Sequence, residues 1–162
     1  MPTTVATADY RQERRQRAEA IVAKLKSGLG TVLARFPVEL AYLYGSVARG
    51  RPLPMSDVDL AVVLSEPIPS ALDRLKLEFQ IQAAVEDACG VKNMDVRAIN
   101  TAPLLAQGEI LQEGRCLYAR DLAHRATFES LVRRKYFDYR PTAEMMEAAF
   151  LKRVRQKGFQ RG

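Results

Sequence analysis

Apolar and polar positions recur along the chain with changing period, and each period predicts an element. Residues 8–27 place Ile21, Val22 and Leu25 at helical spacing among charges and alanines and run out near Gly28 and Gly30. This predicts an amphipathic helix closed by glycine. "VELAYLYG" (38–45) and "DVDLAVVL" (57–64) read as strands, the second rich in Val and Leu. Ser70, three residues before Asp73, predicts a capping box that opens a helix over 71–88. Leu72, Leu75, Phe79 and Ala83 are its expected inward stripe and Gly90 its stop. A third strand, "NMDVRAI" (93–99), precedes a short helix over 101–113 and a short strand or extended segment, "RCLYA" (115–119). Two further helices, near 122–137 and 142–157, flank Pro141, and the closing "QKGFQRG" reads as frayed. The pattern predicts an α/β or α+β domain: a small mixed sheet with flanking helices and helical N- and C-terminal ends.

Length and composition narrow this picture. At 162 residues and 48% hydrophobic, the chain can bury one respectable core. A single domain over 1–162 is expected, with an N-terminal helix (8–28), a core (38–120) and C-terminal helices (121–157). No stretch approaches the roughly 18 apolar residues of a membrane span, and "MPTTVATADYRQERRQ" lacks the apolar segment of a secretory signal. A soluble, cytoplasmic protein with no membrane partner is the expectation. Cys89 and Cys116 have no CxxC spacing and no neighbouring histidine, so they read as core fillers and not as a disulfide or zinc framework. The net charge of +6 is uneven. Residues 1–28 hold six Lys/Arg against three acids, 29–124 nine against twelve, and 125–162 ten against four. Basic ends on an acidic centre suit nucleic acid or an acidic partner, and equally suit solvated helix faces.

Candidate chemistry concentrates in "YGSVARGRPLPMSDVDLAVVL" (44–64). Side chains at i and i+2 of a strand share a face, so Asp57 and Asp59 are expected side by side, with Val58, Leu60 and Val62 turned into the core. Two adjacent carboxylates repel, which raises one pKa unless a cation sits between them. Hard divalent ions take oxygen ligands, and Mg²⁺ combines one or two carboxylates with substrate phosphates. Asp95, on the third strand between Met94 and Val96, supplies a third acid and makes two ions plausible. Its competing reading is a strand-end acid paired with Arg97 or Lys92. Gly45 lets backbone approach a ligand where the strand ends, and Ser46 begins a short helix with a hydroxyl donor for phosphate. Arg49 and Arg51 would neutralise triphosphate charge, or stand as exposed loop cations.

Gly45-Ser46, ten intervening residues and Asp57-Val58-Asp59 resemble the signature of the polymerase-β-type nucleotidyltransferase superfamily. More narrowly, "GSVARG" with "SDVDLAVVL" on a short chain resembles the minimal nucleotidyltransferase (MNT) antitoxins of HEPN/MNT toxin–antitoxin pairs. The specific likeness covers about residues 40–99, and "EGRCLYARD" with "FESLVRRKYFDYRP" adds a softer one. The resemblance implies a polymerase-β-like nucleotidyltransferase fold. It also implies transfer of AMP from Mg-ATP to a tyrosine hydroxyl of a cognate HEPN ribonuclease toxin. Carried onto this chain, it implies Gly45 and Ser46 on phosphate, with Asp57, Asp59 and Asp95 as metal-holding catalytic acids around two Mg²⁺ ions.

Other residues read more plainly. Ser56 shapes a turn, His124 caps a helix or lies on the surface, and Tyr42 and Tyr44 fill the core or line a pocket. Tyr136, Phe137, Tyr139, Met145, Met146 and Phe150 read as helix packing, with an interface as the alternative. Two function classes remain: an enzyme that adenylylates a partner, and a non-catalytic module that occludes its partner while its basic helices touch DNA. Nucleotide transfer to a small molecule such as an aminoglycoside is disfavoured by the short chain, which leaves little surface for the acceptor.

Overall fold

The structure, a computed structural model, describes residues 3–158. Its elements are α1 (Thr3–Leu33), β1 (Val38–Tyr44), α2 (Gly45–Ala48), β2 (Val58–Leu64), α3 (Ala71–Cys89), β3 (Met94–Ala98), α4 (Leu104–Glu113), β4 (Arg115–Ala119) and α5 (Leu122–Gly158). The four strands form one mixed sheet in the order β3-β2-β1-β4. β1 runs antiparallel to both β2 and β4, and β2 parallel to β3 through the α3 crossover. The mixed α/β architecture is the one expected from the sequence.

Strand alternation divides the interior into two layers. Ala41, Leu43, Val58, Leu60, Val62 and Val96 face α1 and α3, where Leu25, Leu29, Ile81 and Val85 are fully buried. Leu40, Tyr42, Ala61 and Val63 face the other way, against Ile110 and Leu111 of α4 and Val132 of α5. Gly108 sets the α4–α5 distance, because a Cβ there would collide with the Tyr136 ring.

Three expected features are corrected. The first helix does not stop at its glycines. It continues to Leu33 because Leu29, Val32 and Leu33 extend the buried face, and Gly28 admits α3 so closely that a Cβ would lie 2.9 Å from Cys89 Sγ. In α3 the Ser70 cap and the left-handed Gly90 stop stand as read, with Ser70 Oγ accepting from Asp73 N–H at 3.2 Å. The inward stripe does not. Leu72 and Phe79 are 61% and 59% exposed, and the buried face is Glu78, Ile81, Val85 and Cys89. A carboxylate marks that face because Glu78 Oε1 accepts the Ala98 N–H at 2.8 Å, satisfying backbone at the end of β3.

The two C-terminal helices are one. Pro141 sits inside α5 and forfeits its own donor, leaving the Phe137 carbonyl without its helical partner. That stretch is exposed, so water can meet the carbonyl, and the flanking Ala, Glu, Met, Lys and Arg are strong helix formers. Packing differs along its length. Val132 and Tyr136 are buried, whereas Phe137, Tyr139, Met145, Met146 and Phe150 are exposed, so the helix-packing reading holds only for Tyr136. His124 is exposed near the start of α5, as expected. The frayed end predicted for 156–162 lies partly outside the described residues; α5 extends through Gly158.

Candidate active site

The ends of three neighbouring strands assemble one polar row. Cα pairing sets Tyr44 of β1 opposite Asp59 of β2, and Asp59 opposite Asp95 of β3. All three lie at the ends of strands whose other face packs on α1 and α3, so the apolar layer fixes their height and direction. Asp57 is exposed immediately before β2. Burial pushes the Asp59 carboxyl above its usual range, the charges of Asp95 and Asp57 push it further, and Arg49 offsets them in part. Tyr44 is likewise raised, by burial first and then by Asp59 and Asp95. Asp59 thus senses the charge of both acids, although Asp57 stands just before β2 and not in the strand that the sequence reading placed it in.

Gly45 closes this row from the side. It lies in the left-handed region at φ +72°, and a Cβ there would collide with Asp59 Oδ2, so glycine is required both by conformation and by space. Ser46 follows in the single turn of α2, and its carbonyl accepts the Arg51 N–H at 2.9 Å, folding the loop back toward the helix. Ser56 Oγ accepts the Leu53 N–H at 2.8 Å, the turn-shaping role expected of it.

The arginines are placed unequally. Arg49 Nη1 donates to Glu113 Oε2 at 2.7 Å while remaining close enough to stabilise ionised Asp59. Arg51 is exposed in the loop. Arg97 Nε donates to Asp95 Oδ1 at 2.9 Å, the competing structural reading of Asp95, and its Nη1 stands 3.9 Å from Glu78 Oε2. Sequence reasoning left Tyr44 between core and pocket lining, and missed Glu113 as the partner of Arg49 and Arg14, which donates to the carbonyls of Arg51 and Pro52. Tyr44 could have been found from the Leu40, Tyr42, Tyr44 alternation. Glu113 and Arg14 are brought in by tertiary packing and left no local signal.

The donor chemistry suits a hard divalent cation: oxygen ligands whose mutual repulsion a cation would relieve. Among the described residues, however, no three His, Cys, Asp or Glu side chains form a ready ligand group. The carboxylates thus fit an ion as a partial set of the kind that substrate phosphates complete.

Residues 29–123 match the family profile described as polymerase beta, nucleotidyltransferase, a span holding β1 to β4, Gly45, Ser46 and the three aspartates. No curated protein sequence matches. Similar solved structures include a mutant MntA–HpeT toxin–antitoxin complex, 17% identical with a TM-score of 0.58 over 76% of this chain and 93% of that one. A toxin–antitoxin structure with AMP-PNP is 18% identical, with a TM-score of 0.55 over 85% and 97%. The tri-AMPylated Shewanella oneidensis HEPN toxin in complex with MNT antitoxin is 16% identical, with a TM-score of 0.51 over 89% and 98%. At these identities the likeness establishes the fold.

Proposed function

The chain belongs to the polymerase beta nucleotidyltransferase family, and from that premise we propose that it transfers AMP from Mg-ATP to a tyrosine hydroxyl of a HEPN-type toxin, acting as that toxin's antitoxin. The observation that carries the reading is the Tyr44–Asp59–Asp95 row set against Gly45, with a carboxyl at its centre raised by burial and then by its acidic neighbours. The similar MNT antitoxin complex with a tri-AMPylated HEPN toxin and the similar toxin–antitoxin structure with AMP-PNP support this choice of acceptor class and nucleotide.

In the proposed reaction Gly45 and Ser46 hold the phosphates, and Arg49 turns its guanidinium toward them from Glu113. Asp57, Asp59 and Asp95 would hold Mg²⁺, which when bound neutralises phosphate charge and lowers the pKa of the attacking hydroxyl. The acceptor oxygen bonds to the α-phosphorus, the bond from that phosphorus to the bridging oxygen breaks, and pyrophosphate leaves with the electron pair. The hydroxyl's proton passes to Asp95 or to water. The partner supplies its own surface, and the exposed Phe137, Met145, Met146 and Phe150 of α5 beside Arg134 and Lys135 offer apolar and basic contacts.

A second reading, inhibition by occlusion without transfer, is favoured by the Arg97 hold on Asp95 and by the lack of a ready ligand group among the described residues. Incubation with α-labelled ATP, Mg²⁺ and the HEPN partner separates the two. The enzyme reading expects label and AMP mass on the partner's tyrosine. Inhibition of the toxin without added mass would support occlusion.

A further inference from the structure

Beside the site, α1 and the loop after α2 enclose an open cleft of about 940 Å³. Arg11, Gln12, Arg14 and Arg15 line one side and Arg49 and Arg51 the other, with no acid and no aromatic ring among the described lining residues. The arginines differ in their commitments. Arg14 is fixed by its bonds to the Arg51 and Pro52 carbonyls, which fasten α1 to the loop, and Arg49 is paired with Glu113. Arg11, Arg15 and Arg51 form no ion pair among the described residues, and all three are exposed. A concave surface of one sign focuses field and raises the local concentration of the opposite charge.

We propose that this cleft is an oligophosphate subsite, whose ligand is the pyrophosphate end of the nucleotide before or after its release. Forked guanidiniums match phosphate oxygens in pairs, and five of them balance a dense short anion. The described lining holds no aromatic ring, and single-stranded nucleic acid leans on aromatic platforms for its bases, which disfavours it as the ligand. Arg49 belongs to both places, lining the cleft while its charge reaches Asp59. Phosphate leaving the carboxylate row thus meets the cleft next. Arg11, Arg14 and Arg15 of α1 precede the matched span 29–123, so the family profile assigns them no role. The inference rests on the proposed transfer only for the origin of the pyrophosphate.

Calorimetric titration of the full chain with pyrophosphate, without nucleotide or divalent ion, tests it. The expected result is saturable binding that weakens with salt and falls at least tenfold in Arg11→Glu/Arg15→Glu. The neutral Arg11→Gln/Arg15→Gln should lose less, and Arg17→Glu, on α1 but outside the lining, should change little. Unaltered melting temperatures establish that each variant is folded. A parallel titration with a non-hydrolysable ATP analogue and Mg²⁺ identifies the source. Loss shared by both ligands assigns the cleft to the bound triphosphate tail, and loss confined to pyrophosphate assigns it to the released product. Unchanged pyrophosphate affinity in Arg11→Glu/Arg15→Glu would overturn the proposal, as would an oligoribonucleotide that depends on these arginines where pyrophosphate does not. Pyrophosphate binding by a chain that transfers no AMP would leave the subsite standing and remove only the proposed reaction.

Discussion

Two acidic clusters sit on the same face of the sheet, two residues apart along β1, and they are balanced in opposite ways. At Tyr42, Glu129 is surrounded by donors: the Tyr42 hydroxyl at 3.0 Å, Arg125 Nε at 2.7 Å and Arg133 Nη2 at 3.5 Å. Burial pushes the Glu129 carboxyl up, but the hydrogen bonds from Arg125 and Tyr42 outweigh it and hold the group below its usual range. The same environment raises Tyr42, through burial first and then through Glu129. At Tyr44, Asp59 has two acidic neighbours and only the partly committed Arg49, and its carboxyl is raised. A cluster that supplies its own counter-charge serves the fold. At the second, Arg97 holds Asp95 but Asp59 keeps two acidic neighbours beside a glycine bend, the charge that the cation and phosphate of the proposed reaction would balance.

The sharpest way to break this contrast is Asp59→Asn. Loss of transfer by roughly 10³-fold is expected, together with a melting temperature at neutral pH that is unchanged or higher. A raised Asp contributes stability that is present below its unfolded pKa and lost as pH rises through the folded one, so replacing it removes a penalty at pH 7. Full transfer by this variant, or a marked fall in stability, would erase the difference between the clusters.

Gly45→Ala should come next, costing about 10²-fold in transfer, since a Cβ at φ +72° displaces the Asp59 carboxylate. Glu129→Ala is expected to do the reverse. Stability should fall by about 2 kcal/mol by denaturant unfolding, because the buried Tyr42 hydroxyl loses its acceptor, while the transfer rate per folded molecule holds.

The pH dependence of stability then separates the clusters by sign. Stability from Glu129 is present above its unfolded pKa and is lost as pH falls through the lower folded one. A melting-temperature profile of Glu129→Gln should therefore be flatter than wild type on the acid side, and an identical profile would contradict the assignment. The smallest effect concerns the partner. Neutralising Arg133, Arg134 and Lys135 together should weaken partner binding a few-fold at low salt and not at high salt. Binding insensitive to these charges would restrict docking to the apolar residues of α5.

The parts of this contrast were unevenly legible in the sequence. Gly45-Ser46 and Asp57-Val58-Asp59 stood out because their chemistry is written within one hairpin, where strand period and a glycine bend set geometry locally. The sheet, its strands and the α3 caps followed from the same local rules. Glu129 gave no sign of its role, since its partner Tyr42 lies 87 residues away. The face of α3 was misread because two apolar stripes compete along it, and the buried one contains a glutamate that pattern reading turns outward. The continuity of α1 through Gly28 and of α5 through Pro141 likewise depended on what each helix packs against, which outweighs the local preference of a single residue.

Calorimetry of a non-hydrolysable ATP analogue, with and without Mg²⁺, on wild type and Asp57→Asn/Asp59→Asn, tests the central claim most directly. Carboxylates only partly offset by Arg49 and Arg97 predict binding by the wild type that requires Mg²⁺ and is lost in the double variant. Equal affinity without Mg²⁺, or Mg²⁺-dependent binding that survives removal of both charges, would contradict it.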